Sequence, residues 1–158
     1  MINIKQIYDD ALKDPALFAK IDVDAIIDSL ESDGSTDYLE RESLSTIHKS
    51  VYDCLREHDI PYISKYGNKL ADYRYIEEIC HLHKGKNVRW IRKNTGEKTL
   101  TNGGIVVDIK FLDNGMHILT KNNQNRFIQY KFDDCLTFQK LSMGEQLVLM
   151  ANEYVDHS

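Results

Sequence analysis

Apolar residues recur every three to four positions through the first half of the chain and every two positions through much of the second. Ile4, Ile7, Ala11 and Leu12 lie on one side of a helix, and Asp14-Pro15 then offers a capping carboxylate and a residue suited to a first helical turn. Leu17, Phe18 and Ile21 give the next short helix its apolar side; Val23, Ile26, Ile27 and Leu30 do so for the one after. Asp37 followed by Glu40 has the form of a capping box, and predicts a long helix with the stripe Leu44, Ile47, Val51 and Leu55, ending near Ile60-Pro61. A last helix over 68–83 would carry Leu70, Tyr73, Ile76, Ile79, Cys80 and Leu82. Stripes on one side only require each helix to pack on something else.

Beyond residue 84 the pattern predicts five short strands, over 87–92, 104–112, 116–121, 126–132 and 136–140. Ile105, Val107, Ile109 and Phe111 alternate with Val106, Asp108, Lys110 and Leu112, the signature of a half-buried strand. Asp113-Asn114-Gly115 marks a hairpin, because Asn and Gly tolerate positive φ, and 122–125 (Asn-Asn-Gln-Asn) marks another turn. Asp133-Asp134 suits a short 3₁₀ turn before the fifth strand. Five strands in so short a stretch, three of them in a meander, suit a small, strongly bent barrel. Leu147, Met150, Ala151 and Val155 predict a closing helix over 144–155.

Charge follows the same division. Residues 1–83 carry a net −8, residues 84–140 a net +6 and residues 141–158 a net −3, within a chain of 158 residues at −5 overall. Seven of the nine tyrosines precede residue 84 and six of the eight glycines follow it, so a boundary is expected at Lys84-Gly85-Lys86. The expected organisation is a helical domain over 1–83, a small β-barrel over 84–141, and a helix and tail over 142–158. No apolar run exceeds five residues, far below the roughly 20 that cross a bilayer, so no membrane partner is expected. Met1-Ile2-Asn3-Ile4-Lys5 lacks the features of a secretory leader. Three cysteines without a close pair fit a reducing compartment better than a disulfide framework.

The stretch running from Leu82-His83-Lys84-Gly85-Lys86 through Val88-Arg89-Trp90-Ile91-Arg92, Leu100-Thr101-Asn102-Gly103-Gly104 and Asn125-Arg126-Phe127-Ile128-Gln129 to Phe138-Gln139-Lys140-Leu141-Ser142 resembles a module of uncharacterised proteins from nucleocytoplasmic large DNA viruses. The strand layout is also similar to Tudor- and KOW-type small barrels, which bind peptides or nucleic acid. These resemblances imply a viral setting, in the host cytoplasm (viral factory) or the virion, and name no activity.

The strongest chemical signal is a basic cluster. Lys84, Lys86, Arg89, Arg92, Lys93 and Lys98 face only Glu97, a net +5 over fifteen residues, with Trp90 among them; Lys121, Arg126 and Lys131 add charge from later strands. Cations that neutralise phosphates beside an aromatic that stacks on bases are how many small barrels hold single strands. A solvated basic surface that meets an acidic protein explains the same residues, and the acidic half would repel phosphates within a Debye length of about 8–10 Å. Tyr62 and Tyr66 are candidates for a second interface, since Tyr offers large area with a polar tip.

Two metal patterns arise and neither is adopted. Placing Gly34 sixth in a twelve-residue loop puts Glu31, Asp33, Asp37 and Glu40 at calcium-ligand positions, but Ser29 stands first, Thr36 eighth, and Asp28 precedes it, so an acidic loop with helix caps is expected. Cys54 with His58 and Cys80 with His83 are helix-spaced pairs, yet an antiparallel hairpin would hold the two pairs about 30 Å apart. No P-loop, dinucleotide fingerprint or nucleophile elbow is present. The expectation is an α+β protein in which a helical amino-terminal half packs on a five-stranded antiparallel barrel, with a C-terminal helix. Its expected role is a non-enzymatic binding or adaptor module in a protein or nucleoprotein assembly, without metal or cofactor; the alternative is a structural or scaffolding component of the virion or a larger viral complex.

Overall fold

The computed structural model describes residues 3–14, 22–30 and 37–156. The chain divides into two compact units: residues 1–49 with 141–158, and residues 50–140.

In the first unit, α1 (Ile4–Lys13) and α2 (Val23–Leu30) pack on α5 (Met143–Asp156), joined by a 3₁₀ turn at Asp37–Glu40 and by the start of α3 (Leu44–Glu57). Ala11, Ile26, Leu30, Leu39, Ile47, Leu141, Leu147, Val148 and Leu149 form its core. Successive buried positions in α5 show that this helix is enclosed on most sides, unlike the one-sided α1. Asn152 Nδ2 secures it by donating to the Leu39 and Glu42 carbonyls (2.6 and 3.0 Å). The capping box expected at Asp37 and Glu40 occurs instead at the start of α5. There the Glu145 amide donates to Ser142 Oγ (3.1 Å) and the Ser142 amide to Glu145 Oε1 (2.9 Å). Asp37–Glu40 is only a 3₁₀ turn, and α3 begins four residues later. The helix expected around Leu17 and Phe18 lies outside the described residues.

The second unit is built on six antiparallel strands in the order β1-β6-β2-β3-β4-β5: β1 (Tyr73–Ile76), β2 (Asn87–Arg92), β3 (Gly104–Leu112), β4 (Gly115–Lys121), β5 (Phe127–Lys131) and β6 (Cys135–Lys140). The five expected strands all form. The sixth, β1, replaces part of the helix expected over 68–83, whose remainder is the end of α4 (Ile63–Lys69) and a 3₁₀ turn at Ile79–His81. Alternation decides it: Arg74 and Ile76 are buried while Tyr73 and Tyr75 lie at the sheet's other face, and all four residues pair with β6. The expected boundary near residue 84 therefore cuts through a unit that begins inside α3.

The barrel is not closed. β1 and β5 are the two ends of the hydrogen-bonded order. The sheet is nonetheless sharply curled, because Tyr130 of β5 stacks on Trp90 of β2 (centroids 4.3 Å apart) and its hydroxyl meets Thr137 Oγ1 of β6 (3.1 Å). In a flat sheet β5 and β6 would stand four strand spacings, about 19 Å, apart. A bulge between Val106 and Asp108 and the 3₁₀ turn Phe132–Asp134 contribute to the bend.

The curl creates two cores. Inside it lie Ile76, Leu82, Val88, Trp90, Val106, Ile118, Tyr130, Phe132 and Cys135. On the opposite face Ile91, Leu100, Leu136 and Phe138 pack with Val51, Cys54 and Leu55 of α3, Ile60, Tyr66 of α4, and Leu70. Strands β2 and β6 are consequently buried on both faces. Gln139 and Thr137, which face inward from β6, are satisfied there: Gln139 Oε1 accepts from the His83 amide (2.9 Å), and Thr137 meets the Tyr130 hydroxyl.

Candidate functional site

Burial of β2 on both faces disperses the basic cluster read along it. Lys84 pairs with Asp108 (3.2 Å), and that contact holds the Asp108 carboxyl below its usual range. Arg89 Nε donates to the Thr101 carbonyl (2.8 Å) and Lys98 Nζ to the His58 carbonyl (2.8 Å), so both head groups tie backbone together. Lys86 and Lys93 are half-buried, and the Lys93 amide donates to the Asp134 carbonyl (3.0 Å). Arg92, Lys121 and Arg126 remain exposed. Of the eight basic residues expected to act together, Arg92 is the only one that lines the cleft described next.

That cleft, of about 430 Å³, opens where β2 ends beside β5 and the 3₁₀ turn. Arg92, Asn94 and Thr95 come from the end of β2 and the loop after it; His117 from β4; Gln129, Tyr130 and Lys131 from β5; Asp134 from the turn and Cys135 from β6. Burial pushes the Cys135 thiol up to about 11, against the opposing pull of Arg92, and also raises the Tyr130 phenol. Both groups are thus neutral near pH 7. What the cleft offers is Arg92 and Lys131 against Asp134, with amides and an imidazole able to donate or accept hydrogen bonds.

A wider surface leads into it. Lys110, His117 and Lys131 are register partners across β3, β4 and β5, and therefore form a row on one face. A second row contains Ile105, Lys121 and Phe127, with Lys121 Nζ 5.7 Å from the centre of the Phe127 ring. Phe127 is 61% exposed; Phe111, near the hairpin and 72% exposed, follows Lys110 directly and therefore turns to the opposite face of the sheet. Reading charge density along the sequence counted Lys131 only as added charge and missed Lys110 and His117; the three lie far apart in the chain. The signal that finds them is alternation combined with the hairpin turns, since together these set the register.

The tyrosine pair separates as well. Tyr62 is 71% exposed, with φ 59° at the start of α4, whereas Tyr66 is 6% exposed and belongs to the core. Their rings meet edge to face at 6.3 Å. Tyr66 is therefore not an interface residue, and Tyr62 stands alone as the exposed member. The candidate calcium loop falls largely on residues 31–36, outside the described residues. Cys54 is buried and Cys80 exposed; of the expected helix-spaced pairs the first persists, His58 N donating to the Cys54 carbonyl (3.2 Å), while the second is broken because Cys80 lies in the 3₁₀ turn. Among the described residues no helix is long and apolar enough to cross a membrane. Comparison with protein-family models, curated proteins and solved structures finds no match to the chain.

Proposed function

We propose that residues 50–140 form a non-enzymatic binding module of the Tudor- and KOW-like kind, and that it holds single-stranded nucleic acid across β3, β4 and β5. The observation that carries this reading is the in-register row Lys110–His117–Lys131, which runs into the cleft beside Arg92. Adjacent strands are about 4.8 Å apart, so the row sets the Lys110 and Lys131 ammonium groups about 10 Å apart with the His117 ring between them, a spacing that a flexible phosphate backbone can follow. Exposed Phe127, on the same face of β5 as Lys131, supplies a ring on which a base stacks. The strand order β6-β2-β3-β4-β5, with a 3₁₀ turn between β5 and β6, supports the small-barrel likeness. The resemblance to large-DNA-virus proteins supports a setting in a viral nucleoprotein assembly.

The test is fluorescence anisotropy of labelled single-stranded RNA and DNA with the full chain, over a range of salt. Three phosphate contacts, from Lys110, Lys131 and Arg92, give a log–log slope against salt of about −2 for a single strand. Lys131→Glu with Arg92→Glu is expected to abolish binding, and absence of binding at low salt refutes the proposal. A protein partner is the second reading, favoured by the exposed apolar side chains Ile105, Val107, Phe111 and Phe127 on the same three strands.

A further inference from the structure

The 3₁₀ turn Ile79–His81 carries chemistry that the binding face does not use. One ligand atom from each of Glu78, Cys80 and His81 lies within 4.8 Å of the other two, on a surface open to solvent. The Cys80 thiol donates to Glu78 Oε2 (3.7 Å). The His81 ring makes no hydrogen bond among the described residues.

We propose that Glu78, Cys80 and His81 form a zinc-class metal site with one open coordination position. A sulfur, a nitrogen and a carboxylate oxygen select a borderline cation such as Zn²⁺ over Ca²⁺ or Mg²⁺. In a tetrahedral site with metal–sulfur about 2.3 Å and metal–oxygen about 2.1 Å, the sulfur–oxygen edge is about 3.6 Å. The separation seen between Cys80 and Glu78 is 3.7 Å, so two of the three ligand atoms already stand at the spacing of such an edge. Rotation of the half-buried His81 side chain closes the third.

The sheet holds this turn in place from behind. Buried Arg74 donates through Nη2 to the His81 carbonyl (3.0 Å), and buried Gln139 donates to the same oxygen (3.3 Å). Gln139 also accepts from the His83 amide (2.9 Å), fixing the chain just beyond the turn. Backbone bonds from His81 N to the Glu78 carbonyl and from Leu82 N to the Ile79 carbonyl, both 3.0 Å, complete the clamp. Ligand-bearing backbone held by buried partners is what lets a short segment bind a metal without first being ordered. On binding, the Cys80 S–H bond breaks, a sulfur–metal bond forms and the proton passes to solvent; Glu78 and neutral His81 each donate a lone pair, and water or a partner's side chain takes the fourth position.

The test uses the reduced full chain and Co²⁺ as a spectroscopic stand-in for Zn²⁺. One equivalent is expected to bring up a thiolate-to-cobalt charge-transfer band and intense tetrahedral d–d bands, both removed by Zn²⁺. Cys80→Ser is expected to abolish the charge-transfer band, and Glu78→Gln or His81→Asn to weaken binding at least tenfold. Their folding is checked by circular dichroism, and all three positions lie at the surface. With the unaltered chain, one equivalent of Zn²⁺ is expected to protect Cys80 from alkylation. Saturation only at millimolar metal, or a cobalt spectrum unchanged by Cys80→Ser, overturns the proposal.

Discussion

Replacing Gly103 with alanine tests the packing of β2 against the start of β3. Gly103 has φ +79°, and a Cβ built there falls 1.9 Å from the Val88 carbonyl oxygen, so the two backbones must separate by at least about 1 Å. This is where β2 and β3 are registered, through Val88 with Gly104 and Asn87 with Ile105. Left-handed backbone costs a non-glycine residue about 1–2 kcal/mol. Losing one or two ladder bonds adds about 1 kcal/mol each, for a total near 2–4 kcal/mol. Gly85 is the matched control: its φ is +86° and nothing lies within 4 Å of its Cβ position, so Gly85→Ala carries only the conformational cost. Urea unfolding of the full chain, followed by fluorescence of Trp90, the single tryptophan, reads both. With a slope of about 2 kcal/mol per molar urea, the midpoint falls by roughly 1–2 M for Gly103→Ala and by about half as much, roughly 0.5–1 M, for Gly85→Ala. Equal shifts for the two variants would refute the clash as the cause.

Three further outcomes are expected. Thr137→Val leaves the buried Tyr130 hydroxyl without its partner and lowers stability by about 1–3 kcal/mol, measured by the same unfolding curve; Thr137→Val placed on Tyr130→Phe costs less than it does alone. Ser142→Ala removes half of the reciprocal cap on α5 and costs about 1 kcal/mol, read as a lower thermal midpoint, whereas Ser142→Asp retains most of the stability. Burial raises the Cys54 thiol from 9.0 to about 12, so the native state keeps a proton that the unfolded chain releases. That stability is fully present below pH 9 and is lost as pH rises toward 12. Unfolding midpoints are therefore expected to fall across that window, and a thiol reagent at pH 8 to label Cys80 well before Cys54 or Cys135.

The strands of the meander were legible because each carries its own alternation and is bounded by Asn and Gly turns. β1 was not. It is four residues long, and what makes Tyr73–Ile76 a strand is a partner, β6, more than sixty residues further on. The helical stripe read there is real as spacing, but long-range pairing overrides it. The capping signal was misplaced for a related reason: Asp37 and Glu40 have the right spacing without a helix that continues, while Ser142 and Glu145 precede one. At the site, residue counts located the charge but not its employment. Arg89 and Lys98 have the same formal charge as Arg92, and only the folded backbone shows that their head groups meet the Thr101 and His58 carbonyls. The polar row of the proposed face emerges from register, which joins Lys110, His117 and Lys131 across two hairpins.

β6 also sets an order of events on the ribosome. It pairs with both β1 and β2 and contributes to both cores, yet it is the last strand of the sheet to be synthesised. β3, β4 and β5 can zip together from neighbouring hairpins as soon as they emerge, because their loops are short and closing them costs little entropy. β1 and β2 must wait with bare edges until residues 135–140 are available. The nascent chain therefore passes through a stage with a finished meander and two open docking edges, and β6 joins them in a single late insertion. A premature stop before Cys135 strands the polypeptide at that stage, where the same unpaired edges would recruit other chains instead.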